Sequence, residues 1–259
     1  MSAIVIDGKL VHYETTGRGP AVVFLHGWLG SWRYWMPTME ELAGSRRSYA
    51  FDFWGFGDSD RAGAEYHVDD FLRQLEGFLE DLGIWRFSLV GHALGAAVAV
   101  RFARLFPQRV ERVMAVSLPL SRGVVNHKGL MGGGGMLGRL GYRWQEHGEI
   151  AGEADKTDGQ AIPRSVDSLA DCDIPEALST LNMPVLLVYG RRDPFVRPLG
   201  EELLNPARYN TRLITFEEAR HFPMLEERSK FNRLIKDFFD AGSDLRALEL
   251  KEEWRRRTR

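Results

Sequence analysis

Cysteine is almost absent from this sequence, since its 259 residues include only Cys172. A single cysteine cannot form a disulfide within the chain, so a disulfide-stabilised scaffold is excluded. Low cysteine usage is typical of proteins from reducing compartments. We therefore expect a cytoplasmic protein whose fold is held together by its hydrophobic core.

Long apolar runs and a strong excess of charge are also missing. No apolar stretch reaches the roughly 18 residues that a membrane-spanning helix needs. The first ten residues, MSAIVIDGKL, lack a basic region followed by an apolar core, so we expect no signal peptide. The formal net charge is −2, which gives no general attraction to nucleic acid or to anionic membranes. The composition does not indicate an oligomeric state.

Sequence motifs for binding a metal ion or a phosphate group are also missing. His127 and His147 have no close carboxylate or cysteine partner at the spacing of metal ligands. The glycine run at 132–135 lacks the Lys-Ser/Thr pair that completes a phosphate-binding loop. We expect neither a metal nor a cofactor.

Short apolar runs alternate with helical patterns along most of the chain. Asp7-Gly8 indicates a hairpin near the start, residues 31–43 are expected to form a helix, and helical spacing predicts helices over 67–82, 94–106 and 223–240. Continuous apolar runs predict buried strands at 21–25, 48–52, 86–91, 110–118, 184–190 and 212–216. This alternation predicts an α/β fold with a mainly parallel sheet covered on both faces. A ligand site is expected at the carboxyl ends of the strands.

The alternation is interrupted between residues 119 and 182. This stretch is rich in charge and poor in long apolar patterns, and it has the length and position of a lid inserted over a site. The sequence therefore predicts a core formed by 1–118 and 183–240, a lid at 119–182 and a tail at 241–259. In the tail, Leu245, Leu248 and Trp254 fall on one face of an expected terminal helix.

The most informative stretch runs from residue 86 to residue 106. It reads as a strand, a tight turn at Gly91-His92-Ala93-Leu94-Gly95 and a helix. This is the context of a nucleophile elbow, G-x-S-x-G, in which the central serine is exposed at the edge of the sheet. Ala93 stands where that motif has its serine.

Other loops at predicted strand ends complete a pattern. They contain His26-Gly27, the glycine-punctuated segment 52–59, Asp193 after a strand, and His221 before a helix. The order of nucleophile position, acid and histidine is that of α/β-hydrolases. Over about residues 10 to 240 the chain resembles the α/β-hydrolase fold superfamily, in its lidded branch of esterases, lactonases and C–C bond hydrolases.

The resemblance implies a role for each position. His221 would be the general base and Asp193 the acid that orients it. The backbone N–H groups of Trp28 and Leu94 would form an oxyanion hole. Ala93 occupies the position of the nucleophile. His92 and Asp52 would be structural residues that join neighbouring loops.

Aromatic residues indicate the character of the ligand. We expect Trp28 and Trp54 to face it from the core, and Tyr142 and Trp144 from the lid. Together with neighbouring apolar residues of the lid, they favour a small, mainly apolar substrate.

Two explanations of Ala93 remain open from the sequence. Alanine cannot attack a carbonyl, and loss of the serine from such a triad lowers turnover about 10⁶-fold. In the first explanation, Ala93 is an engineered replacement of serine in a hydrolase of ester or C–C bonds, which is then nearly inactive. In the second, Ala93 is natural. The protein then either binds a small molecule as a pseudo-hydrolase or uses His221 with water, without a covalent intermediate.

Overall fold

One mainly parallel sheet organises the computed structural model, which describes residues 2–61, 65–132, 150, 152–200 and 208–251. Its strands are β1 (Ser2–Ile6), β2 (Lys9–Gly17), β3 (Ala21–Leu25), β4 (Arg47–Phe51), β5 (Phe87–His92), β6 (Val110–Val116), β7 (Val185–Gly190) and β8 (Thr211–Phe216). Their order across the sheet is β1-β2-β4-β3-β5-β6-β7-β8. β2 pairs antiparallel with β1 and β4, and the other pairs are parallel. The predicted sheet is confirmed.

Helices cover both faces of this sheet. In chain order they are α1 (Met36–Leu42), α2 (Val68–Asp81), α3 (Leu94–Leu105), α4 (His127–Gly132), α5 (Ala161–Ser168), α6 (Ile174–Thr180), α7 (Pro223–Glu226) and α8 (Arg228–Asp240). On one face α3 lies against α2, α6, β5 and β6, and on the other α1 packs against α8 and β4. Every residue of β5 and β7 is therefore buried, as expected for strands covered on both sides. No helix within the described ranges is long and apolar enough to cross a membrane.

Three local expectations differ from the structure. The first predicted helix, near residues 31–43, begins instead as a 3₁₀ turn at Trp32–Trp35 before α1. The predicted helix 223–240 is divided between α7 and α8 at Glu227, whose φ of −126° and ψ of 50° are not helical. The expected terminal helix is wrong for residues 245–251, which are not helical. Leu245 is nonetheless fully buried and belongs to the hydrophobic core.

The described part of the segment between β6 and β7 contains several short helices. It contains α4, α5 and α6, together with short 3₁₀ turns. α6 packs against α3 of the core, so the end of this segment is continuous with the helical layer. The division into core, lid and tail stays a prediction.

The turn between β5 and α3 depends on close backbone contact. A Cβ on Gly95 would overlap the carbonyl oxygen of Leu25, and one on Gly91 would overlap the carbonyl oxygen of Gly95. Because both obstacles are backbone atoms, a side chain at either position cannot be accommodated by a rotamer change. The glycines let α3 begin directly against β3 and β5.

We expect Gly95→Ala to lower the free energy of unfolding by about 1–3 kcal/mol, because the added methyl group forces the backbone of β3 and α3 apart. Urea denaturation followed by circular dichroism measures the change. Gly44→Ala is the matched control, since a Cβ there meets no atom within 4 Å. Equal stability of the two variants would contradict this explanation of the turn.

Candidate active site

Ala93 lies at the end of β5 in an uncommon backbone conformation. Its φ is 48° and its ψ is −108°, a combination that costs a non-glycine residue about 1–3 kcal/mol. Hydrogen bonds hold it there: its N–H donates to Val116 O at 2.8 Å, and its carbonyl accepts from the N–H groups of Ala96 and Ala97. The backbone at residue 93 thus has the conformation of a tight elbow, although its side chain is only a methyl group.

Asp193 and His221 form a buried hydrogen-bonded pair. Nδ1 of His221 lies 2.8 Å from Oδ2 of Asp193, and both side chains are fully buried. A carboxylate only accepts hydrogen bonds, so Nδ1 carries the proton and donates it. This arrangement leaves Nε2 of a neutral His221 with a free lone pair, as a general base requires.

The carboxylate of Asp193 is surrounded by donors. Oδ1 accepts from the backbone N–H groups of Phe195 at 2.8 Å and Val196 at 3.0 Å. Oδ2 accepts from Ser117 Oγ at 2.8 Å as well as from His221. Burial raises the pKa of the Asp193 carboxyl, but the charge of its histidine partner and these hydrogen bonds outweigh it. The pKa therefore lies below its ordinary value, and the group is an anion at neutral pH.

The other ring nitrogen of His221 is free. Nε2 is buried and has no hydrogen-bond partner among the described residues. The rings of Phe195, Phe222 and His92 surround the imidazole, with centroids 5.1, 5.0 and 4.5 Å away. A buried polar atom without a partner is costly, and here it is the atom that would receive a proton from a substrate, water or nucleophile.

Two backbone amides near Ala93 are also without protein acceptors. Within the described residues, the N–H groups of Trp28 and Leu94 donate to no protein atom. Leu94 is the first residue of α3, where an amide has no intrahelical acceptor. A Cβ placed on Gly27 would lie 3.0 Å from the Cβ of Ala93, so the loop that carries Trp28 approaches the elbow closely. An oxyanion hole formed by these two amides stays a prediction.

His92 joins the elbow to the loops around it. Its Nδ1 accepts from the hydroxyl of Tyr34 at 3.0 Å, and its Nε2 donates to the carbonyl of His221 at 2.8 Å. The same Tyr34 hydroxyl accepts the N–H of Gly27 at 2.6 Å. Burial, reinforced by the charge of His221, places the pKa of His92 well below its ordinary value. His92 is thus a neutral structural residue.

Asp52 and His26 hold the neighbouring loops. Asp52 accepts the N–H groups of Trp32 at 2.8 Å and Asp58 at 2.9 Å, and burial raises its pKa to about 7. His26 accepts the N–H of Phe53 at 2.9 Å, and burial lowers its pKa to about 4. These contacts fit the structural role expected for Asp52.

The expected ligand-facing residues are placed only in part. Trp28 is fully buried, and its indole donates to Ser165 Oγ on α5 at 2.9 Å. Trp54 is also buried, with the ammonium group of Lys9 4.8 Å from its ring centroid. Tyr142 and Trp144 lie outside the described residues. Ligand contact by all four stays a prediction.

An ionic cluster fastens the segment between β6 and β7 to the strand-end loops. Arg33 contacts Asp58 at 2.9 Å and Glu153 at 3.2 Å, and Lys156 contacts the same two carboxylates at 2.9 and 3.1 Å. The Glu153 side chain is only 6% exposed, so its charge is compensated by these two cations. Within the described part of the chain, no group of side chains could hold a metal ion.

Residues missed by sequence analysis include Tyr34, Ser117 and Ser165. Each makes a buried hydrogen bond to a residue of the site or its loops. Ser117 offered a weak signal, because it is the first hydroxyl residue after the apolar run of β6.

Comparisons with known proteins agree with the fold described above. The profile of the alpha/beta hydrolase fold family matches residues 20–127. A pimeloyl-[acyl-carrier protein] methyl ester esterase of Vibrio campbellii is 26% identical over 88% of this chain and 98% of its own. A 2-hydroxy-6-oxo-2,4-heptadienoate hydrolase of Pseudomonas putida is 28% identical over 92% of this chain and 95% of its own.

Solved structures share the fold. The enol-lactonase from Burkholderia xenovorans superimposes with a TM-score of 0.79 at 19% identity, covering 93% of this chain and 100% of its own. At this identity the likeness concerns the fold alone.

We expect His92→Gln to reduce the loss of stability on acidification. The folded pKa of His92 lies below 6.5, so below that pH the unfolded chain binds a proton that the folded chain does not. One such group lowers the free energy of unfolding by about 1.4 kcal/mol per pH unit as the pH falls. Glutamine keeps a donor and an acceptor but does not titrate. Urea denaturation at pH 7 and pH 5.5 measures the difference.

The contribution of Asp52 to the free energy of unfolding changes with pH in the opposite direction. Because the pKa of Asp52 is raised in the folded chain, this contribution decreases as the pH rises toward 7. It is present in both proteins and cancels from the comparison. The same pH dependence in His92→Gln and the parent chain would contradict the neutral state of His92.

Proposed function

The chain belongs to the α/β-hydrolase fold superfamily, and on this basis we propose that it carries a site of the serine-hydrolase type. Its substrate is a small, mainly apolar ester or a related acyl or C–C compound. Ala93 holds the position of the nucleophile, so the chain as written is nearly inactive in covalent catalysis. The observation that supports the proposal best is the buried pair of His221 and Asp193, in which Nε2 of His221 has no partner within the described parts of the chain.

The proposed chemistry follows from the atoms present. With a serine at position 93, Nε2 of His221 would remove the hydroxyl proton as the oxygen attacks the substrate carbonyl. The negative charge on the resulting tetrahedral intermediate would be stabilised by the N–H groups of Trp28 and Leu94. Since these donors belong to the main chain, the methyl group of Ala93 removes the nucleophile and leaves the proposed oxyanion site.

A second route needs no residue 93 side chain. His221 could deprotonate a water molecule that attacks the same carbonyl directly, without a covalent intermediate. The free Nε2 supports this route for a natural Ala93, whereas an engineered Ala93 would simply arrest the covalent one.

The proposed substrate class draws on the surroundings of His221. The rings of Phe195 and Phe222 beside the imidazole favour an apolar group next to the reacting carbonyl. The relatives from Vibrio campbellii and Pseudomonas putida act, by their names, on a methyl ester and on a 6-oxo acid. Both compounds present a carbonyl carbon, which fits a site built to stabilise an oxyanion.

We further propose that residues 119–182 serve as a lid on the core formed by 1–118 and 183–240. Supporting contacts are the bond from Trp28 to Ser165 and the ion pair of Arg33 with Glu153. Through Trp28, the lid would also influence the oxyanion amide of that same residue. A cytoplasmic location is proposed from composition.

We expect Ala93→Ser to hydrolyse p-nitrophenyl butyrate about 10³- to 10⁶-fold faster than the parent chain, because the variant completes the triad. It should also be labelled by a fluorophosphonate, with the label on residue 93. Initial rates and mass spectrometry of the labelled peptide measure both effects.

The double variant Ala93→Ser/His221→Gln is the control and should lose turnover and labelling. A variant Ala93→Ser that neither hydrolyses the ester nor reacts with the fluorophosphonate would refute the proposed function. Turnover by the parent chain that depends on His221 and is insensitive to fluorophosphonate would instead support the route through water.

A further inference from the structure

Ser117 occupies a strained position beside the acid of the proposed site. It follows β6, is fully buried and has a φ of 49°. Its N–H donates to Val188 O at 2.8 Å, which fixes its backbone against β7. Its hydroxyl lies 2.8 Å from Oδ2 of Asp193.

The hydroxyl must donate in this contact, since the ionised carboxylate offers only acceptors. Oδ2 thus accepts hydrogen bonds from Ser117 and His221, while Oδ1 accepts them from the backbone amides of Phe195 and Val196. The amides hold one oxygen, and the hydroxyl is the additional donor that fixes the other toward the imidazole. Ser117 therefore contacts the oxygen atom on which the orientation of His221 depends.

The backbone conformation indicates that the side chain matters. A positive φ is uncommon for a residue other than glycine, which would adopt it without a steric penalty. A serine at this position has an unfavourable backbone conformation, but its hydroxyl forms a hydrogen bond to the buried carboxylate of Asp193. Hydrogen bonds to charged groups are stronger than those between neutral groups.

We infer that Ser117 is a positioning residue for the proposed acid–base pair: its hydroxyl, on Oδ2 of Asp193, holds the carboxylate in the orientation that aligns the His221 ring. The inference rests on the proposed function for its catalytic consequence only. The alignment of the His221 ring does not require a serine at position 93, so it can be tested in the parent chain without measuring turnover.

The first experiment uses proton NMR of the parent chain. The proton on Nδ1 of His221 is buried and bonded to a carboxylate, so it should give a resonance far downfield of the amides. Loss of that resonance in Asp193→Asn assigns it. We expect the resonance to shift or broaden in Ser117→Gly, which relaxes the backbone but lacks the hydroxyl.

Two further variants separate the hydroxyl from the backbone. Ser117→Asn tolerates positive φ and supplies an N–H donor, so it should restore the resonance. Ser48→Ala is the matched control, because it removes a buried strand hydroxyl that has no hydrogen-bond partner among the described residues. It should leave the resonance in place.

The second experiment repeats the substitutions in the Ala93→Ser background. We expect Ser117→Gly to lower kcat for p-nitrophenyl butyrate on the order of tenfold, with KM nearly unchanged, since the change affects the base and leaves substrate contacts intact. Ser117→Asn should recover most of kcat, and Ser48→Ala should match its background.

An unmoved resonance in Ser117→Gly would overturn the inference, whether or not Ala93→Ser hydrolyses esters. Unchanged kcat for Ser117→Gly in an active Ala93→Ser background would overturn it as well. If Ala93→Ser shows no turnover, the proposed function fails, and the resonance still decides the role of Ser117.

Discussion

The site depends on the strained turn at Ala93, where β5 passes into α3 within one residue. The backbone angles there are unfavourable for an alanine, and the surrounding hydrogen bonds and the two glycines maintain them. This turn places residue 93 at the edge of the sheet and leaves the amide of Leu94 without an acceptor in the part of the chain that the structure describes. The loops carrying Trp28 and His221 are assembled against it through His92 and Tyr34.

The electrostatics of the site separate structural histidines from the proposed base. Burial keeps His26 and His92 neutral, each with both ring nitrogens engaged by the protein. Among the histidines that the structure describes, only His221 is paired with a fully buried carboxylate and has no hydrogen-bond partner at Nε2. Since neither that pair nor the main-chain donors involve a hydroxyl at position 93, the methyl group of Ala93 is compatible with an intact frame.

Much of the architecture could be predicted because local patterns of apolar residues indicate where strands and helices form. The order of motifs at strand ends predicted Asp193 and His221 as site residues, and the structure brings their side chains together. The contacts of Ser117 and Tyr34 could not be predicted, since they join residues 76 and 58 positions apart. The prediction of a helix in the tail was wrong for a related reason. Leu245 and Leu248 have helical spacing, but burial against the core determined the conformation of this segment.

The most direct test is a crystal structure of Ala93→Ser after reaction with a short alkyl boronic acid, which forms a tetrahedral adduct on an activated serine. The account predicts a covalent bond from the serine oxygen to boron, with one boronate oxygen between the N–H groups of Trp28 and Leu94. Nε2 of His221 should lie within hydrogen-bond distance of the adduct. An unmodified serine, or an adduct whose oxygens face away from both amides, would contradict it.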